Sequence, residues 1–208
     1  MKTLLRSFLA LCLACVASFA LEFSKINSTM DTNINKILSI LEKLPPKSTQ
    51  EQTHNKEQIK AIADEIFIIF DPIFDYDLIA KLALGGHYKT LSKEQLDSFK
   101  TTFIDSLKRS FVDKLQLYKD EKLEVKGGEK IKENRYNLKV SIFFDNKENY
   151  IIFKFYPKDS DDWRIYDVDV LGVSVLQTYR SQISDILSKN SFPTLLEKLQ
   201  GEINFDTK

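Results

Sequence analysis

Apolar residues recur along this chain at two periods, and the change from one to the other divides it. Met30, Ile34, Ile37, Leu38 and Leu41 fall at helical spacing and predict a first helix that ends before Leu44–Pro45–Pro46. After a polar stretch, Ile59, Ile62, Ala63, Ile66, Phe67, Ile69 and Phe70 predict a second, strongly apolar helix stopped by Pro72. Asp75 or Asp77 can cap a short third helix that runs to Leu84, with Gly85 suited to the left-handed position past its end. Ser92 with Gln95 is a capping box opening a long helix, whose apolar face reads Leu96, Phe99, Phe103, Ile104, Leu107, Phe111, Leu115 and Tyr118.

Beyond Asp120 the period falls to about two. Leu123 to Val125 reads as a short strand broken by Gly127–Gly128. Tyr136, Leu138, Val140, Ile142 and Phe144 then alternate with polar residues as a half-buried strand, and Asp145–Asn146–Lys147 turns the chain. Ile151, Phe153 and Phe155 point one way on the next strand. A loop from Pro157 to Asp162 leads into the last strand, which carries Trp163, Ile165, Val168 and Val170. Gly172 breaks that strand, and Ser174 with Gln177 forms a second capping box at the head of another amphipathic helix. Asn190–Ser191 ends this helix, and Pro193 sits in the first turn of a final short one through Leu199. The order predicts an α+β domain: helices, an antiparallel meander of about four strands, then helices again, with the helices packed on one face of the sheet.

The first twenty residues stand apart. Lys2 and Arg6 form a basic region, Ser7 to Val16 an apolar one, and Ser18 and Ala20 occupy the small-residue positions of a cleavage site. Residues 1–20 are therefore read as a secretory signal peptide and residues 21–208 as one domain. Cys12 and Cys15, the two cysteines, leave with the signal, so the mature chain has no thiol chemistry and points to a bacterial periplasm. The 30 basic and 30 acidic residues balance, and losing Lys2 and Arg6 makes the mature chain slightly acidic. No basic stripe invites nucleic acid. The 15 phenylalanines dominate the aromatic content.

Chemistry has few candidates. Two histidines, His54 and His87, and no mature cysteine do not make a zinc site, and no metal or other cofactor is implied. Gly172–Val173–Ser174 invites a nucleophile elbow with Asp167 and His87 as partners, yet Leu176 stands where that turn requires a small residue. A hydrolytic or acid–base enzyme using His87 and Asp167 is one alternative function. A chaperone for lipoprotein acyl chains is another. A carboxylate on a strand is costly to bury unless paired, and Arg180 on the adjoining helix is the expected partner of Asp167. Trp163, Asp167, Gly172, Ser174, Tyr179 and Arg180 are read together as a joint that fixes the last strand against its helix.

Trp163–Arg164–Ile165–Tyr166–Asp167–Val168, then Gly172–Val173–Ser174, then Tyr179–Arg180–Ser181–Gln182 resembles the signature of the MlaC family, the toluene-tolerance-type periplasmic phospholipid-binding proteins. Asp75 ahead of Leu78–Ile79–Ala80–Lys81 and Leu84–Gly85, then Tyr88, Gln95, Phe99 and Phe103 is similar to a second family motif. The resemblance runs from about Ile26 to Leu199. Ile183 stands where the family usually has Phe, Tyr88 where it often has Trp, and Asn190 where glycine is common.

The resemblance implies a monomeric, non-enzymatic carrier. It would move diacyl phospholipid between an inner-membrane ABC transporter complex and an outer-membrane lipoprotein complex, docking transiently and maintaining outer-membrane lipid asymmetry. At about 0.8 kcal/mol per methylene, two acyl chains of roughly 30 methylenes would cost about 24 kcal/mol to expose to water. On this reading an apolar pocket lies between the helices and the sheet. Ile66, Phe70, Phe103, Leu107 and Phe111 are expected to line it from the helices, and Val140, Ile142, Phe153, Val173 and Leu176 from the sheet and the joint.

Overall fold

The computed structural model describes residues 23–44, 56–115, 122–144, 147–160 and 162–201. The leader, His54 and the Asp145–Asn146 turn lie outside them. Among the described residues six α-helices and five strands follow one another in chain order: α1 (residues 23–41), α2 (Lys56–Phe70), α3 (Tyr76–Leu84), α4 (Lys93–Leu115), β1 (Leu123–Lys132), β2 (Arg135–Phe144), β3 (Lys147–Asp159), β4 (Asp162–Val170), β5 (Val173–Ser174), α5 (Val175–Lys189) and α6 (Phe192–Gln200). The sheet is an antiparallel meander in the order β1-β2-β3-β4-β5. This is the expected α+β architecture, with one more strand than the apolar pattern suggests, because β5 is only two residues long.

The described part of α1 extends ahead of Met30 to Phe23, and its buried face, Ile26, Met30, Ile34, Ile37 and Leu41, has two halves. Ile26 and Met30 pack on the sheet with Tyr136, Leu138, Val140, Phe153, Phe155, Trp163 and Ile165. Ile37 and Leu41 pack instead on α2, against Ile59, Ile62, Ala63 and Ile66. A third cluster joins α3, α4, α5 and α6 around Phe99, Phe103, Tyr179 and Leu195.

Two strands differ from the pattern read in the sequence. Gly127–Gly128 does not end β1. The strand bulges between Val125 and Gly127, where Gly127 takes φ +86°, and then continues to Lys132. Gly128 lies under the ring of Tyr136, whose hydroxyl donates to Asn27 Oδ1 on α1 at 2.7 Å. A Cβ on Gly128 would stand 2.5 Å from both that ring and the Asn137 carbonyl oxygen. Pro157 is not in a loop. It pairs with Trp163 inside β3, beyond the last β2–β3 pair at Tyr136–Phe155, so its missing N–H interrupts no ladder on the β2 side.

A second bulge sets the polarity of β4. Lys154 faces Asp167 and Phe155 faces Ile165, leaving Tyr166 extra. Ile165 and Val168, three apart, both pack toward the sheet's apolar face. Asp167 consequently faces the other side with Lys154. It is 6% exposed and accepts from four donors: Ser174 Oγ at 2.8 Å, Lys154 Nζ at 2.9 Å, and the backbone N–H groups of Val168 (2.8 Å) and Leu176 (3.1 Å). The expected Asp167–Arg180 pair is replaced by Asp167–Lys154, because the cross-strand lysine is already in register. Ser174 caps α5 as expected, accepting from the Gln177 N–H at 3.0 Å while its hydroxyl donates to Asp167.

Asp75, also 6% exposed, makes an equivalent joint at the head of α3. It accepts from the Leu78 N–H at 3.0 Å and from the Tyr156 hydroxyl, and Lys158 Nζ stands 3.2 Å away. Its own N–H donates to Ile165 O on β4 at 2.9 Å, beside a parallel bridge from Phe74 to Ile165. Burial alone would raise the Asp75 carboxyl; the hydrogen bonds from Tyr156 and Leu78, with Lys158 beside them, outweigh it and hold the pKa below the ordinary 3.8.

Two outcomes follow from this packing. Gly128→Ala should lower stability by about 2 kcal/mol, since the ring of Tyr136 or the strand must shift, whereas Gly86→Ala, which has open space around it, should leave the melting temperature nearly unchanged. A carboxyl with a depressed folded-state pKa stabilises fully above its ordinary value and loses that contribution as pH falls through the folded value. Asp75→Asn should therefore melt lower at neutral pH and lose less further stability than the unsubstituted protein as pH drops below 3.8. Thermal denaturation across that range reads both.

Candidate functional site

The three apolar clusters meet at one corner. The chain leaves α2 through a single 3-10 turn, Asp71–Ile73, with Pro72 fixing its geometry, and this turn presents Phe70 and Phe74 in different directions. Phe70 packs on both the sheet cluster and the α1–α2 cluster. Phe74 packs on both the sheet cluster and the α3–α6 cluster. The two rings meet edge to face at 5.9 Å, and Phe70 also stacks on Phe153 of β3 at 5.9 Å. Tyr76 stacks on Phe74 and donates to Asp71 Oδ1 at 2.7 Å. Lys108 of α4 reaches the same turn, 2.6 Å from Asp71 Oδ2, with its ammonium 4.7 Å from the Phe67 ring centroid.

The residues expected to line a pocket are shared among the three clusters, except Ile142 and Val173, which belong to none of them. Phe103, Leu107 and Leu176 belong to the helical cluster, Val140 and Phe153 to the sheet cluster, and Ile66 and Phe111 to the α1–α2 cluster. Ile142 is half-buried, paired with Asn149 near the far end of β2. Val173 is 44% exposed beside the β4–β5 turn. The pattern of apolar residues names these side chains but not Phe74, whose place between two clusters comes from the Pro72 turn. The proline after Phe70 was the signal available for it.

Around the joint, Trp163 lies in the sheet core, its ring and that of Phe23 meeting edge to face with centroids 5.4 Å apart. Tyr179 is buried in the helical cluster, its hydroxyl 3.2 Å from Ser110 Oγ and its ring edge-on to Phe103 at 5.1 Å. Arg180 is exposed and lies over Gly85, where an added Cβ would be 3.1 Å from its Nε. It lines a shallow polar depression along α5 with Gln177, Ser181, Ser184, Asp185 and Ser188.

The alternative catalytic pair is not assembled. His87 sits in the 3-10 turn after α3 with its carbonyl accepting from Thr90, and the donors on Asp167 are Lys154, Ser174 and two backbone N–H groups. Among the described residues no group of three or more His, Cys, Asp or Glu is placed to hold a metal ion, and no helix is long and apolar enough to cross a membrane.

Comparison with known proteins places this geometry. A family model described as "MlaC protein" matches residues 32–201. The intermembrane phospholipid transport system binding protein MlaC of Haemophilus influenzae is 27% identical over 133 residues, 62% of this chain and 62% of that protein, so the match spans less than two thirds of the relative's length. Among solved structures, a phospholipid-binding protein from Ralstonia solanacearum in complex with a phospholipid superposes with a TM-score of 0.65 at 16% identity, over 83% of this chain and 93% of that one. At that identity the likeness is one of fold. With the family model running through every strand and from the middle of α1 to the end of α6, this chain belongs to the MlaC family.

Proposed function

We propose that this protein is a periplasmic phospholipid carrier that holds diacyl lipid in an apolar site around Phe70 and Phe74. The observation that carries the reading is the convergence of three apolar clusters on that corner, in a fold shared with a protein solved with a phospholipid bound. Phe153 and Val140 would form one wall, Phe103, Leu107 and Leu176 the opposite one, and Ile66 and Phe111 the floor. Ile142 and the exposed Val173 would lie toward the rim. Acyl chains enclosed there gain about 0.8 kcal/mol per methylene removed from water, and the headgroup stays in solvent, which asks no dedicated charge of a nearly neutral protein.

The same reading covers the rest of the chain's expected biology. The leader would direct the protein to the periplasm. There it would exchange lipid with an inner-membrane ABC transporter complex and an outer-membrane lipoprotein complex, so contributing to outer-membrane lipid asymmetry. Membership of a family with a relative named as a phospholipid transport system's binding protein supports this. The chain acts as a carrier and not as an enzyme.

Native mass spectrometry of the purified mature protein should show a mass increment of bound diacyl phospholipid, recovered also by solvent extraction. A lipid-free protein that takes up none after refolding would sink the proposal, and recovery of protein-linked acyl chains alone would point to a lipoprotein chaperone. Phe70→Glu, which places a carboxylate where acyl chains would run, should cut lipid content about tenfold in protein that circular dichroism shows to be folded. His87→Ala should leave lipid content unchanged; a loss would count against the carrier reading and for a role of that histidine in the site.

A further inference from the structure

Seven large apolar side chains are exposed among the described residues, and five of them share one end of the sheet: Phe143, Tyr150, Val170, Leu171 and Val173. Strand register brings them together. Ser141 pairs with Tyr150, Ile151 with Val170, and Val170 with Val173, and the Leu171 N–H donates to Tyr150 O at 3.2 Å. Leu171 and Gly172 form the two-residue β4–β5 turn with φ of +53° and +84°. Two successive positive φ values are the type I′ geometry that favours Asn-Gly, so a leucine in the first position is held at a steric cost. That leucine is 52% exposed, so burial against this chain's own core does not repay the cost.

The five side chains do not line a groove. By strand alternation Phe143 and Tyr150 stand on the face opposite the sheet's apolar cluster, and Val170 and Val173 on the same face as that cluster, with Leu171 at the tip between them. A rigid partner would need a cleft matching both faces of a sheet end. The hydrocarbon–headgroup boundary of a lipid layer envelops such a wedge without one. Its surroundings suit an anionic lipid surface. Lys122 and Lys147 flank the tip, exposed and without an ion pair among the described residues, whereas the carboxylates of Glu124 and Glu148 are engaged by Lys126, and Asp169 by Lys154. Lys139 lies 5.0 Å over the Tyr150 ring, an amphipathic pair suited to the headgroup layer.

We infer that this end of the sheet is a membrane-contact tip, with Leu171 inserting into an anionic lipid surface while Lys122 and Lys147 meet its headgroups. The contact goes beyond lipid carriage and is tested apart from it. The mature protein should float with vesicles of phosphatidylethanolamine and phosphatidylglycerol and bind less to phosphatidylcholine alone. Leu171→Asn, with a residue that accepts positive φ, should keep or raise the melting temperature, keep co-purified phospholipid, and lower vesicle partitioning about tenfold. Lys122→Glu with Lys147→Glu should remove the preference for anionic vesicles. Loss of co-purified lipid with vesicle binding intact would count against the carrier reading and not against the tip. Failure of the unsubstituted protein to float, or equal flotation of Leu171→Asn, would overturn the inference. So would a concentration-dependent dimer in sedimentation that Leu171→Asn dissociates without changing flotation, which would assign the tip to a second copy of this chain.

Discussion

Two carboxylates fastened to one strand hold the helical half of this protein on its sheet. Lys154, Tyr156 and Lys158 alternate along β3, so all three side chains share the face opposite Phe153 and Phe155. Lys154 takes Asp167, and Tyr156 and Lys158 take Asp75. Each aspartate also accepts backbone N–H groups at a helix start, Leu78 of α3 and Leu176 of α5, where unsatisfied donors and the helix dipole favour negative charge. A buried carboxylate is tolerable only when charge and hydrogen bonds replace water, and these two are supplied from three sides. Lys154, between Asp167 and Asp169, keeps its proton more firmly than usual: burial works against the charge, but the two carboxylates outweigh it.

The other face of β3 faces apolar chemistry. Phe153 and Phe155 sit in the sheet core, and Phe153 carries the stack to Phe70 and so to the corner where the clusters join. One strand thus separates two kinds of force. Hydrogen bonds and ion pairs fix angle and register because they fail steeply with distance and direction. Apolar packing is non-directional and scales with area, so one hydrocarbon surface can replace another at similar free energy.

The periodicity carried most of this architecture to the reader of the sequence, because helices and half-buried strands impose different spacings on the same apolar residues. Ser92 with Gln95 forms its reciprocal cap as the pattern states, Gln95 Oε1 accepting from the Ser92 N–H at 2.9 Å and the Gln95 N–H donating to Ser92 Oγ at 3.3 Å. The misreadings share a cause. Gly127–Gly128 looks like a break until the ring of Tyr136, eight residues further on, is known to lie across it. The step of three from Ile165 to Val168 was visible as a bulge signature, and it decides which way Asp167 points. Without the bulge, parity sends Asp167 to the apolar face, and the neighbouring helix's Arg180 is the natural partner. With it, Lys154 across the strand pair is in place first. Arg180 then lies over Gly85, a contact no local spacing encodes. Phe74 was hidden for a related reason, since its position between clusters depends on a turn geometry and not on a period.

For a carrier of the proposed kind, this division of forces resolves a conflict between holding lipid and remaining folded. A site that fills and empties exchanges acyl surface for side-chain surface on the apolar side of β3, and a core relying on that surface alone would loosen each time it emptied. The aspartate joints lie on the opposite side of the strand, at helix starts, and none of their donors belongs to the residues expected to line the site except the Leu176 backbone N–H. That exception gives the coupling a place. Leu176 offers its side chain to the helical cluster and its N–H to Asp167, so displacement of its side chain by lipid pulls directly on the α5 joint. Movement on lipid exchange should therefore concentrate at the start of α5 and the adjoining β4–β5 turn, while the Asp75 carboxylate, whose donors Leu78, Tyr156 and Lys158 lie outside the proposed lining, keeps its hydrogen bonds.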